Sequence, residues 1–166
     1  MGTVFTIRPY CESDAPAVGT LIADTYSTFN LGFAPPEARG AFLGPFQHAG
    51  SPDRARQDAV AAAIRSELVL VAEEDGEIVG VLRGRRERLA SLFVRGDRHR
   101  RGIGRRLVER FEQESLHQGV RVIRVAATLY ALPFYLAMGY KRSTGVRSGW
   151  SFEGRGLPVH PMRKAL

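Results

Sequence analysis

Residues 91–111, SLFVRGDRHRRGIGRRLVERF, pass from an apolar run through a basic turn around Gly-x-Gly into a helical pattern. The run that ends at Val94, RLASLFV, reads as a strand. From Gly102 onward Ile103, Leu107, Val108 and Phe111 recur on one face, while Arg105, Arg106, Glu109, Arg110 and Glu112 fall elsewhere. That pattern predicts an amphipathic helix laid on a sheet and running to about His117. A helix N-terminus leaves backbone N–H groups unpaired and carries a partial positive charge, so it holds an anion without help from side chains. Gly102 and Gly104 let the backbone come close to such an anion, and Arg100, Arg101 and Arg105 surround it with charge. Strand, basic turn, Gly-x-Gly and helix together point to a phosphate cradle; Gly-x-Gly alone is also an ordinary structural cap. A dinucleotide fingerprint needs a third glycine where Leu107 stands, and a P-loop needs Gly-Lys-Ser/Thr, which is absent.

Charge extends the argument outward. Between Arg83 and Arg106 ten arginines face only Glu87 and Asp97, a net of +8 against +7 for the whole chain. One segment therefore carries the entire imbalance. Such a concentration suggests a polyanionic partner, whether a phosphorylated cofactor, a nucleic acid or an acidic surface. The plainer alternative is that the arginines solvate exposed turns.

The rest of the chain frames this segment. A length of 166 residues with 44% hydrophobic composition suits a single domain spanning residues 1–166. VFTIRPY alternates like a strand, and Ser13 and Asp14 are placed to cap a helix carrying Val18, Leu21, Ile22 and Tyr26. Residues 31–54 are rich in Gly, Pro and Ala and read as a long loop with broken helical turns. Asp53 caps a helix through Ala59, Val60, Ala63 and Ile64, followed by the strand LVLVAE. AEEDGEIVG is a hairpin signal with Asp75-Gly76 at its turn. GVRVIRVAAT reads as a strand and ALPFYLAM as a short helix that starts near Pro133 and ends at Gly139. The tail, YKRSTGVRSGWSF and LPVHPMRKAL, reads as two extended segments joined by EGRG. This order predicts an α/β or α+β sandwich around one mixed sheet.

Several classes are set aside. No apolar stretch approaches the roughly 18 residues of a membrane span, and MGTVFTIRPYCESD lacks the features of a secretory signal. The Met1-Gly2 start is expected to carry no lipid, and a cytoplasmic protein without membrane contact is expected. Cys11 is alone, so it forms no internal disulfide and reads as a structural or surface thiol. His48, His117 and His160 lack metal-ligand spacing, so no metal is expected.

With these elements placed, SLFVRGDRHRRGIGRRLVERF resembles the acetyl-CoA-binding motif of the GCN5-related N-acetyltransferase (GNAT) family, Gln/Arg-x-x-Gly-x-Gly/Ala at the start of the main helix. ALPFYLAMGY is similar to that family's Ala-x-x-Phe-Tyr-x-x-x-Gly-Phe/Tyr helix, and PVHPMRKAL to its last strand. The resemblance covers the chain from about Glu67 onward. It implies a mixed, largely antiparallel sheet with helices on both faces, and acetyl-CoA as co-substrate. Leu92, Phe93 and Val94 match the strand whose backbone pairs with the pantetheine arm. Arg100, Arg101, Gly102, Ile103, Gly104 and Arg105 match the pyrophosphate loop, and Thr128 stands where many members have Asn. Tyr135 matches the tyrosine that often protonates the departing CoA thiolate. A thiolate whose thiol has a pKa of about 8.5 leaves more easily when protonated, and a positioned phenol of pKa about 10 can donate.

Departures from the pattern matter too. His99 occupies the Gln/Arg position, which weakens one side-chain contact but leaves the amide cradle. Strand VRVIRVAAT has no glutamate, although some protein N-terminal acetyltransferases carry a catalytic one there, so protein-terminus acetylation is in doubt and the general base is unassigned. Glu73 and Glu87 are the carboxylates to examine, with exposed hairpin charge as the other reading. Tyr130 and Tyr140 are nearby substitutes for Tyr135, and Tyr140 suits the family's buried Phe position. FNLGFAPPEARGAFLGPF, residues 29–46, either lines an aromatic acceptor pocket or tucks its phenylalanines, Phe33 and Phe42 among them, onto the core.

The favoured reading is an N-acetyltransferase that passes an acetyl group from acetyl-CoA to a small-molecule or peptide amine by direct attack. A non-catalytic acyl-CoA sensor is one alternative. A nucleic-acid module using Arg83–Arg106 is another, disfavoured because the helix lacks aromatic interleaving. The resemblance also leaves open a homodimer formed through the tail strands.

Overall fold

The structure is a computed structural model that describes residues 4–166. Asp75 and Gly76 adopt positive φ angles of 52° and 79° and turn the chain tightly between β2 (Leu68–Glu74) and β3 (Glu77–Arg85). This is the hairpin geometry expected of Asp-Gly. β4 (Arg88–Val94) continues the antiparallel run, and β1 (Thr6–Pro9) pairs with the other edge of β2. β5 (Val122–Thr128) then lies parallel to β4, and the long β8 (Gly154–Ala165) runs antiparallel to β5. β6 (Lys141–Arg142) and β7 (Arg147–Ser151) line the far edge of β8. The eight strands form one mixed, mostly antiparallel sheet in the order β1-β2-β3-β4-β5-β8-β6, with β7 also on β8.

Alternation along the strands builds a core on each face of this sheet. Val71 and Val81 pack with Val18, Ile22 and Ile64 from α1 (Ala15–Thr25) and α3 (Arg54–Ile64). Leu70, Leu82 and Ile123 pack on the opposite face with Leu107, Val108 and Phe111 of α4 (Ile103–His117) and with Tyr135 of α5 (Leu132–Ala137). Gly84 makes the close approach of α4 to the sheet feasible, because a Cβ there would lie 2.4 Å from the Phe111 ring. Lys164 Nζ donates to both carboxylate oxygens of the buried Glu112 at 2.9 Å and fastens α4 to β8.

After a π-type turn at Tyr26–Asn30 that extends α1, residues 31–54 hold the broken helical turns expected: a 3-10 turn at Pro36–Ala38, α2 (Arg39–Leu43) and a 3-10 turn at Gly44–His48. Asp53 caps α3 by accepting the Arg56 N–H at 3.2 Å. Asp14 departs from expectation, since its side chain does not cap α1. It accepts the Cys11 N–H at 2.9 Å and two Arg8 N–H groups at 2.8 and 2.9 Å, closing the 3-10 turn Glu12–Asp14 that precedes α1.

The tail differs as well. EGRG is not the joint; the turn lies at Phe152-Glu153, and Gly154 to Gly156 already belong to β8. Packing accounts for this, because the Phe152 ring lies over Gly44 and against Phe46, which holds Phe152 at a φ of 53°. The first tail segment is split into β6 and β7, with Ser143 N–H and Oγ both bonded to the Pro161 carbonyl. The Met1-Gly2 start lies outside the described residues; its sixth position is Thr6, which satisfies the minimal myristoylation pattern, so the expectation of an unmodified start loses its basis.

Candidate active site

Arg83 is opposite Ser91 and Gly84 is opposite Leu89, so Ala90 is an extra residue on β4. A bulge of this kind bends its strand. β4 and β5 accordingly pair only at Arg88–Arg124 and Leu89–Val125, and beyond that point they diverge. A cavity of about 570 Å³ opens where they part. Ser91, Leu92 and Phe93 line it from β4, Ala126, Ala127 and Thr128 from β5, and Tyr135 from α5. Tyr26 and Asn30 close the α1 side, with Trp150 and Phe152 at the β7–β8 turn. Past Leu89, the β4 edge that faces away from β3 has no strand partner, which leaves its peptide groups free for an added strand-like ligand.

At its C-terminal end β4 leads into the basic turn. Arg100 and Gly102 have φ of 62° and 83°, and α4 starts at Ile103. No side chain caps that helix, so its first N–H groups stay open to the turn. Gly102 suits the left-handed conformation, and a Cβ there would meet nothing within 4 Å, so the space beside it is free. Ile103 sends its side chain into the core and offers only its backbone. Arg105 and Arg101 make only loose pairs, each 3.9 Å from Glu109 and Glu74 respectively.

The remainder of the basic segment does not form one stripe. Arg95 is held by Glu77 and Asp97 at 3.0 and 2.7 Å, and Arg98 by Glu74 and Asp97 at 3.1 and 2.9 Å. Arg83 and Arg88 lie instead at the other end of β4, along the cavity.

Leu92, Phe93, Thr128 and Tyr135 are thus brought to one cavity, while Val94 and residues 100–105 continue from its β4 wall. Tyr135 is buried edge-on against Phe134 and Tyr140 at centroid distances of 5.1 and 5.5 Å. Burial pushes its phenol above the ordinary value, so the proton stays on oxygen. Thr128 Oγ donates to Asn30 Oδ1 at 2.7 Å across the cavity wall. His99 Nε2 lies 2.7 Å from the Val94 carbonyl, and its Nδ1 lies 3.3 Å from the exposed Tyr130 hydroxyl.

The other candidates fall elsewhere. Glu73 is paired with Arg8 at 3.0 Å and Glu87 sits on the exposed β3–β4 turn, so neither lines the cavity. Phe33 and Phe42 pack edge-on at 5.3 Å outside it; from that loop the aromatic ring in the lining is Phe46. Tyr140 is buried with its hydroxyl unpartnered, in keeping with an apolar position. Sequence reasoning missed Asn30, Ser91 and the bulge residue Ala90. No local signal marks them, since each acquires its place through pairing across the sheet.

A family model described as an acetyltransferase (GNAT) domain matches residues 45–166. Among solved structures, a GCN5-related N-acetyltransferase from Rhodopseudomonas palustris superposes with a TM-score of 0.79 at 21% identity, over 100% of this chain and 99% of that one. The PaiA N-acetyltransferase of Thermoplasma acidophilum in complex with coenzyme A gives 0.69 at 15% identity, over 98% and 99% of the two chains. A ribosomal-protein-alanine N-acetyltransferase from Brucella melitensis gives 0.63 at 22% identity, over 97% and 99%. With the splayed β4–β5 pair and the open helix turn, the domain match identifies the chain as a member of the GNAT acetyltransferase family.

Proposed function

We propose that this chain is a single-domain N-acetyltransferase that uses acetyl-CoA and works by direct attack of an amine on the thioester. The observation that carries the reading is the continuity between the unpaired edge of β4 and the uncapped, basic start of α4. In this reading the amides at Gly102, Ile103 and Gly104, with Arg100, Arg101 and Arg105, hold the pyrophosphate. The backbone of Leu92, Phe93 and Val94 pairs with the pantetheine arm. A peptide N–H on the free β4 edge polarises the thioester carbonyl, and the cavity orients the amine against the carbonyl carbon. The new C–N bond forms, the C–S bond breaks, and Tyr135 gives its hydroxyl proton to sulfur. The cavity lining holds no Asp, Glu or His, so the amine's proton leaves through water. Thr128 and Asn30, bonded to one another, support the β5 wall beside Tyr135.

Calorimetric titration with acetyl-CoA and with dephospho-CoA tests the donor site, and release of free CoA in the presence of amines tests turnover. Micromolar acetyl-CoA binding with amine-dependent CoA release is expected. Binding without release under any amine leaves an acyl-CoA sensor, and no binding removes the proposal.

A further inference from the structure

Four arginines line the cavity: Arg83, Arg88, Arg124 and Arg147. None of them takes part in an ion pair among the described residues. Arg8, Arg65, Arg95, Arg98 and Arg110, by contrast, each meet a carboxylate within 3.1 Å. Arg83 is the most constrained of the four. It is half-buried, donates to the Ile64 carbonyl at 2.8 Å and to Ser91 Oγ at 3.3 Å, and has no negative charge to offset its loss of hydration. Burial pushes its pKa down from the ordinary guanidinium value. Arg88 and Arg124 sit side by side in the first of the two paired rungs of β4 and β5, one residue before Leu89–Val125, where the opening begins.

These charges are not needed for the donor's phosphates. The turn assigned to them follows Val94, six residues along β4 from Arg88, which is about 20 Å of strand. An amine alone would be repelled by this end of the cavity. We infer that the acceptor carries an anionic group, a carboxylate or a phosphate a few bonds from its nitrogen, which Arg83, Arg88 and Arg124 hold at the closed end of the β4–β5 opening; Arg147, set level with Thr128 through Val159, lines the cavity toward its open end. The inference rests on the acetyltransferase reading and names its substrate class. It also accounts for a lining without a basic side chain suited to proton removal. Positive charge nearby disfavours the ammonium form, so the amine gives up its proton to water more readily. Aromatic rings at Tyr26, Phe46 and Trp150 leave room for an apolar group on the same acceptor.

The test measures kcat/KM at saturating acetyl-CoA for matched pairs: the common amino acids against their amides, and O-phosphoethanolamine against ethanolamine. The amide of an amino acid has the less basic amine, so preference for the acid does not come from easier deprotonation. The expected result is at least about a tenfold advantage for the anionic member of one series, which also tells carboxylate from phosphate. Arg88→Ala and Arg124→Ala, at exposed positions, remove most of that advantage by lowering kcat/KM for the anionic member far more than for the neutral one, with acetyl-CoA affinity unchanged. Arg83→Gln does the same, with its melting curve recorded because Arg83 also bonds to Ile64. Equal or better use of the neutral members, no acetylation of any anionic member by donor-bound protein, or variants that slow both members alike overturn the inference. Absence of acetyl-CoA binding overturns the acetyltransferase reading as well and is seen separately by calorimetry.

Discussion

His99 Nε2 lies 2.7 Å from the carbonyl oxygen of Val94, so the side chain at the motif's first position ties the basic turn to the end of β4. A carbonyl only accepts, which puts the proton on Nε2 and leaves Nδ1 to accept from the Tyr130 hydroxyl at 3.3 Å. Phe29 packs on the ring at a centroid distance of 4.7 Å. His99→Gln keeps a donor for Val94 and is expected to hold acetyl-CoA affinity within about threefold, whereas His99→Ala weakens it by roughly tenfold, the worth of one hydrogen bond. Calorimetry on both variants separates this tie from a mere filler.

Tyr135→Phe retains the ring that packs between Phe134 and Tyr140 and removes only the hydroxyl. Turnover with a good acceptor is expected to fall on the order of a hundredfold, with acetyl-CoA affinity unchanged. Because burial raises the phenol's pKa, the acid form persists as pH rises, and the wild-type kcat profile shows no Tyr135-linked decline up to about pH 10. A descending limb below that pH that disappears in the variant counts against this assignment.

Tyr140→Phe removes a buried hydroxyl that has no hydrogen-bond partner. An unpaired buried polar group costs about 1–3 kcal/mol, so the variant is expected to be as stable as the parent or up to about 1 kcal/mol more so. Chemical denaturation gives the answer, and a clear loss of stability would show that the hydroxyl has a partner.

Asp14 is where acid acts on this fold. Hydrogen bonds from Arg8 hold its carboxyl at about 2, below the 3.8 of an unperturbed group. A depressed folded-state pKa stabilises above the unfolded value and loses that contribution as pH falls through the folded one. The difference corresponds to roughly 2 kcal/mol at neutral pH, lost between about pH 4 and pH 2. Asp14→Asn is therefore expected to be destabilised at pH 7 and to converge with the parent near pH 2, as read from denaturant midpoints across pH.

Much of this architecture is legible residue by residue. Asp75-Gly76, the strand LVLVAE and the apolar face of Ile103, Leu107, Val108 and Phe111 each specify their element locally, and the structure has all three. The open, basic start of α4 is legible because glycines and helix ends act within a few residues. The bulge at Ala90 is not, since nothing in RLASLFV distinguishes a regular strand from one that must part from β5. The arginines that line the cavity are hidden for a related reason. Arg83 and Arg88 read as part of a continuous basic segment with Arg95 and Arg98, yet strand direction and ion pairs send the two groups to opposite ends of β4. Arg124 and Arg147 enter the cavity lining only because β5 and β7 are folded alongside, Arg124 next to Arg88 and Arg147 across β8 from Thr128. The turn at Phe152-Glu153 likewise depends on the packing of Phe152 over Gly44, a contact between distant parts of the chain.

The two rungs between β4 and β5 are also the only strand pairing that links β1–β4 to β5–β8 among the described residues. The sheet is therefore two leaves with a short seam, and opening that seam breaks few backbone hydrogen bonds. Amides of the β5–β8 leaf should then exchange with solvent through an excursion of lower free energy than global unfolding. A ligand lying along both free edges would complete the ladder, turning two loosely coupled leaves into one cooperative unit whose protection rises with occupancy.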